Sequence, residues 1–154
     1  RKTAESEHAD ERVFMNLGRL ELALEHFDEG LAAFGEALKL DPEIVEAHLR
    51  VGELLCQNGE QATGVLHFER IIEMQPEDLN LRLMATLAHT QLGDLDAAEQ
   101  HAQAARDSFP SQPEPLFALS QIAQARGDLG QAERLFEEGQ ALNQSIPQPQ
   151  DSDE

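Results

Sequence analysis

Proline recurs at positions 42, 76 and 110, and glycine at 59, 93 and 127, in both cases 34 residues apart. Two residue types that interrupt helices, recurring at one period, fix where each helix must stop. Other columns keep the same period. Leu17, Val51, Ala85 and Leu119 are apolar, as are Phe34, Phe68, Ala102 and Phe136. Gly18, Gly52, Thr86 and Ser120 stay small, and so do Gly30, Gly64, Ala98 and Ala132. Such a chain is one supersecondary unit repeated, each copy burying its apolar faces on its neighbours.

The stretch Asp41–Pro76 shows the unit most plainly. Asp-Pro opens a helix, because proline is tolerated in the first turn and the Asp side chain can cap it. Ile44, Ala47, Val51, Leu54 and Leu55 follow at helical spacing, and Asn58-Gly59 ends that helix. Val65, Leu66, Phe68, Ile71, Ile72 and Met74 form a second helix that halts at Pro76. The two make a helical hairpin. The first hairpin lacks the turn glycine and has Glu25-His26 there, which predicts a later or less sharp turn. Gly30 and Gly64 fall in mid-helix, where glycine costs about 1 kcal/mol relative to alanine. Their column becomes Ala98 and Ala132, so it marks a close approach of two helix backbones rather than a ligand site.

The third unit carries Ala98, Ala102 and Ala105 and should pack most shallowly, while Pro113 and Pro115 place the start of the fourth. The last helix carries Leu129, Ala132, Leu135, Phe136 and Leu142 with no polar capping helix after it. Some of these should be exposed, which fits truncation, self-association or coverage by a further segment.

A helix-turn-helix repeated at this period resembles the tetratricopeptide repeat family. The resemblance implies an all-α, right-handed superhelical solenoid of about four 34-residue hairpins. These would span 11–44, 45–78, 79–112 and 113–146. They would be flanked by an N-terminal arm at 1–10, either loose or a helical extension, and a disordered acidic tail at 147–154.

The 154 residues carry a formal charge of −19, with 40% hydrophobic residues. An ordinary apolar share allows a folded core, while the acidity argues against nucleic acid as a partner and favours basic ones. No run approaches membrane-spanning length, so direct membrane insertion is not expected. The chain begins at Arg1, which fits a fragment or a processed chain. A cytoplasmic location is the expectation; a periplasmic or lipid-anchored one follows if an N-terminal signal has been removed. Cys56 is the sole cysteine and has no base nearby in sequence. The histidines 8, 26, 48, 67, 89 and 101 form no ligand motif, and His67 and His101, one column, read as solvated side chains of an outer wall. No catalytic residue, metal site or cofactor site is expected, and the chain does not read as an enzyme.

Binding of another protein is the stronger lead. In the family that the chain resembles, the first helix of each unit lines a concave groove. Carried over by column, that groove takes Arg12, Met15, Arg19 and Leu22 from the first unit, and Glu46, Leu49, Glu53 and Cys56 from the second. It takes Leu83 and Leu87 from the third, and Glu114, Phe117 and Gln121 from the fourth. The apolar members would hold a peptide or amphipathic helix, with Glu46, Glu53 and Glu114 favouring basic residues in it and Arg12 and Arg19 an acidic group. Some family members clamp chaperone C-terminal carboxylates with lysine, asparagine and arginine. Here Asn16, Arg19 and Arg50 occur without lysine, and Glu53 would repel a carboxylate, which disfavours that ligand. The expected role is an adaptor or assembly factor. The alternatives are a self-associating scaffold using the fourth unit, hence a homo-oligomer, or a regulatory domain of a larger protein.

Overall fold

Eight helices account for nearly all of residues 4–145, which are the residues that the computed structural model describes. They are α1 (Ala4–Ala23), α2 (Phe27–Leu40), α3 (Val45–Gln57), α4 (Gln61–Met74), α5 (Leu79–Leu92), α6 (Leu95–Ser108), α7 (Glu114–Ala125) and α8 (Leu129–Ser145). No strand occurs among the described residues, and consecutive helices pair as four hairpins. The fold is all-α. The chain divides into two units, residues 1–76 and 77–154, with two hairpins each. α1 runs through the stretch read as arm or helical extension, from Ala4 onward; the tail at 147–154 lies outside the described residues.

One turn joins the helices of every hairpin. The amide of His26 donates to the Glu21 carbonyl at 2.9 Å, and Glu60 to Leu55, Asp94 to His89 and Asp128 to Ala123 do the same. This six-residue closure needs a left-handed residue just before the donor. Gly59, Gly93 and Gly127 supply it with φ of 86°, 78° and 83°, and in the first hairpin Glu25 adopts φ 62°. The first turn is therefore neither later nor looser: the closure imposes the left-handed backbone even on glutamate. Asp78, Asp94 and Asp128 cap the helices that follow them, accepting from the amides of Leu81, Ala97 and Gln131. Asp41 does not: it ends α2, accepts the Glu43 amide at 2.9 Å, and leaves α3 to start at Val45 with no side-chain cap. Asp41-Pro42 thus builds the turn ahead of the helix rather than its first turn.

Within a hairpin the helices interlock through one ring. A Cβ placed on Gly52 would lie 2.6 Å from Phe68 Cε1 and 3.1 Å from the Gly64 carbonyl oxygen. At Gly18 it would meet the Phe34 ring at 2.7 Å. The two small columns therefore let one helix lie against the other with an aromatic side chain filling the remaining gap. In unit 1, Phe34 joins Met15, Ala37, Ala47, Val51 and Leu55 in one buried cluster. In the third hairpin the equivalent positions change together: Thr86 replaces glycine, its hydroxyl bonded to the Arg82 carbonyl at 2.7 Å, and Ala102 replaces phenylalanine. Ala98, Ala102, Leu119 and Ile122 form the core of unit 2.

Two outcomes follow for stability. Replacing Glu25 with glycine should relieve the left-handed strain and stabilise the chain by about 1 kcal/mol, read as a higher urea midpoint with an unchanged slope. Truncating Phe68, which is buried, to alanine should cost about 3–5 kcal/mol, whereas the same change at half-exposed Phe136 should cost clearly less in the same titration.

Candidate functional site

The face expected to bind is carried by the first helix of each hairpin, α1, α3, α5 and α7. Each of these helices must bury one side on its own partner helix, so only the columns pointing away from that partner remain open. The 22/56 column points inward. Leu22 lies over Gly30, and a Cβ on Gly64 would be 2.6 Å from Cys56 Sγ. Leu22 and Cys56 therefore pack partly against the small residues of their own second helices and are half-buried, at the edge of the expected face. Burial also pushes the Cys56 thiol up, away from thiolate chemistry. Met15 is buried in the cluster around Phe34, 5% exposed, and offers a ligand little area. Leu49 is half-buried, and Glu53, also half-buried, is tied to Arg50 on its own helix at 2.9 Å.

In unit 1, Arg12, Asn16, Arg19 and Glu46 gather around a shallow pocket of about 260 Å³, to whose lining Met15 also contributes. Its chemistry is an ion pair. Arg19 reaches across from α1 to α3 and grips both carboxylate oxygens of Glu46, its Nε at 2.7 Å, while it also donates to Asn16 at 3.1 Å. The hydrogen bond from Arg19 holds the Glu46 carboxyl below the usual carboxylate range, against the opposing effect of partial burial. Arg19 and Glu46 had been expected to select opposite charges in a ligand; instead they satisfy each other.

In unit 2 the face is different. Leu83, Thr86, Leu87, Thr90, Glu114, Phe117, Ala118 and Gln121 enclose about 340 Å³. Leu87 is 55% exposed, and Phe117 is half-buried, its ring over Gly139 and 5.6 Å from the ring of Phe136. The wall is apolar on the Leu83, Leu87 and Phe117 side and carries a single carboxylate, Glu114. The five residues expected on this part of the face, Leu83, Leu87, Glu114, Phe117 and Gln121, come together here.

Two features escaped the sequence reading. His48, His67, His89 and His101 pair two by two rather than standing solvated. His48 Nε2 donates to the Pro42 carbonyl at 2.9 Å, which leaves its Nδ1 to accept from His67 Nδ1 at 2.8 Å. Burial, and then repulsion from His48 whenever that ring is protonated, hold His67 below the ordinary histidine range. In unit 2, His89 and His101 stack with ring centres 5.5 Å apart. The spacing of 19 between His48 and His67 joins two columns that face each other across a hairpin, which was the available signal. The second feature is the arginine clips. Arg126, at the end of α7, binds Asp96, Glu99 and the Leu95 carbonyl at the start of α6, and these carboxylates, Glu99 foremost, raise its pKa further. Arg106 similarly binds Glu138, and Arg70 binds Glu43 and Glu73.

Because Glu46 is lowered in the folded chain, its contribution to stability is complete above the ordinary glutamate range and fades as pH falls through the lowered value. The stability difference between the native chain and Glu46→Gln should therefore shrink on acidification, and Arg19→Gln should return the Glu46 carboxyl titration, followed by NMR, towards the ordinary range.

Comparison with known proteins places this arrangement. The sequence profile described as Tetratricopeptide repeat matches residues 15–78 and 57–113. The peroxisomal targeting signal receptor of Komagataella phaffii is 36% identical over 62 residues, 40% of this chain and 10% of the receptor. Protein FlbA of Caulobacter vibrioides is 27% identical over 113 residues, 71% of this chain and 19% of FlbA. The chain thus spans about a tenth to a fifth of the curated relatives it matches. Among solved structures, MamA (41-end) from Desulfovibrio magneticus RS-1 superposes with a TM-score of 0.81 at 21% identity, covering 94% of this chain and 82% of that one. YrrB, described as a TPR protein with an unusual peptide-binding site, gives 0.80 at 15% identity, covering 92% and 73%. At these identities the structures share the fold.

Proposed function

The chain belongs to the tetratricopeptide repeat family, whose members act as protein–protein interaction modules, and from that premise we propose a non-catalytic adaptor or assembly factor that holds a peptide or amphipathic helix of a partner. The observation that carries this reading is the apolar pocket of unit 2, where Leu83, Leu87 and Phe117 surround about 340 Å³ with Glu114 at the rim. A large apolar side chain fills such a space, and a lysine or arginine beside it meets Glu114. The chain's net charge of −19 favours the same basic ligand. In unit 1 the Arg19–Glu46 pair offers polar contacts instead, so a ligand segment lying there needs hydrogen-bonding groups rather than bulk. The names of two similar proteins, a targeting signal receptor and a TPR protein with a peptide-binding site, fit a segment-binding role. The small share of the relatives that the chain covers also fits a second reading, the binding domain of a larger protein.

A peptide library selected on this protein should be enriched in sequences that place a large apolar residue next to Lys or Arg. For such peptides Leu87→Ala should weaken affinity about tenfold, near 1.4 kcal/mol, mainly through faster dissociation. Glu114→Lys should slow association and remove its salt dependence. Enrichment of acidic peptides, or affinity indifferent to Leu87, would overturn the reading.

A further inference from the structure

The outer face of α1 carries a stripe that the fold elsewhere keeps dry. Val13, Leu17 and Leu20 are 62%, 39% and 55% exposed, and Leu24 one turn further on is also exposed. Their spacing puts them on one side of the helix. In the other first helices the same columns are buried without exception: Ala47, Leu81 and Pro115; Val51, Ala85 and Leu119; Leu54, Ala88 and Ile122. Four neighbouring apolar side chains in one stripe are not the scattered surface leucines that a folded protein ordinarily shows.

What covers this face is visible twice inside the molecule. In unit 1, Phe34 of α2 packs into the cluster of Ala47, Val51 and Leu55 on α3. In unit 2, Ala102 of α6, in the same column as Phe34, packs with Leu119 and Ile122 of α7, and Leu95 at the start of α6 joins them. The cover is in both cases the second helix of the preceding hairpin, and in both it delivers the Phe34/Ala102 column; the Leu95 column joins only in unit 2, its unit 1 member Phe27 being exposed. α8 is also a second helix, and those two columns on it are Phe136 and Leu129, both exposed. One chain therefore holds both halves of a contact that it makes internally elsewhere.

We infer that the occupant of the α1 stripe is a second copy of this chain, which lays Leu129 and Phe136 of its α8 against Val13, Leu17 and Leu20. The two surfaces differ, so the contact is heterologous and each copy keeps one unused half for the next. Both copies are strongly acidic, so salt, which screens their repulsion, strengthens the contact. An association held by ion pairs responds to salt in the opposite direction. This inference does not rest on the pocket of unit 2 and stands or falls separately from it.

Sedimentation velocity on the 154-residue chain tests it. The average mass should rise above 17.1 kDa with concentration and rise further with added salt. Leu20→Glu, on the stripe, and Leu129→Glu, on α8, should each remain monomeric alone while keeping the native circular dichroism; Val13→Glu replaces Leu20→Glu if that variant loses helix. Mixing the two variants should restore a one-to-one complex and nothing larger, because each retains the half that the other lacks. A wild-type chain that stays monomeric throughout, a mixture that forms no complex, or self-association lost with Leu20→Glu but kept with Leu129→Glu would overturn the inference, the last pointing to stripe-on-stripe pairing.

Discussion

The ring of Phe68 occupies the volume that a side chain at residue 52 would need, and the Phe34 ring does the same at residue 18. That exchange lets the backbones of a hairpin come within contact of each other and fixes the rotation of one helix against the other. Once the rotation is fixed, every other column has an assigned direction. Leu22 and Cys56 turn inward over the small residues of the second helix, Val51 and Leu119 turn towards the adjoining hairpin, and Arg19, Glu46, Leu87 and Glu114 turn away from both. The third hairpin keeps this arrangement with the volumes redistributed, threonine for glycine and alanine for phenylalanine, so the constraint acts on the sum rather than on either residue.

The outward columns differ between the units, and the difference is chemical. In unit 1 a guanidinium and a carboxylate meet and neutralise each other in a shallow polar hollow. In unit 2 the column of Arg19 carries Leu87, that of Glu46 keeps an acid at Glu114, and Leu83 and Phe117 continue the apolar column of Met15 and Leu49, leaving an apolar hollow with one acid. A repeat scaffold can diverge in this way because the columns that point outward carry no packing obligation, whereas those beneath them do.

The period made the hairpins legible, since proline and glycine columns report helix ends directly. Side-chain direction was read less well. The spacing of 46, 49, 53 and 56 places those residues roughly on one side of a helix, but a helix side is wide, and its edge columns can fall inward. Cys56 and Leu22 sit at that edge, opposite a column of small residues, and the pairing of a large residue in one helix with a small one in the next was the clue that went unused. Glu25 was misread because glycine was taken as the cause of the turn; the repeated closing hydrogen bond is the cause, and glycine only its cheapest tenant. The Arg19–Glu46 and His48–His67 pairs join residues of different helices, and a period by itself does not tell which columns face each other.

The arginine clips change how the acidity of this chain presents itself. Arg19, Lys39, Arg50, Arg70, Arg106 and Arg126 all hold carboxylates of their own chain. A cation locked in this way still counts in the net charge, but its field is largely cancelled a few ångströms out by the group that it holds. What an approaching molecule senses at these clips is therefore the unmatched remainder, which in a chain with 30 acidic and 11 basic residues is mostly negative. The surface behaves less like a mosaic than like a polyanion with its counter-ions built in, so an approaching acidic chain, a second copy included, meets a repulsion at a distance that salt sets, before any side chain is touched.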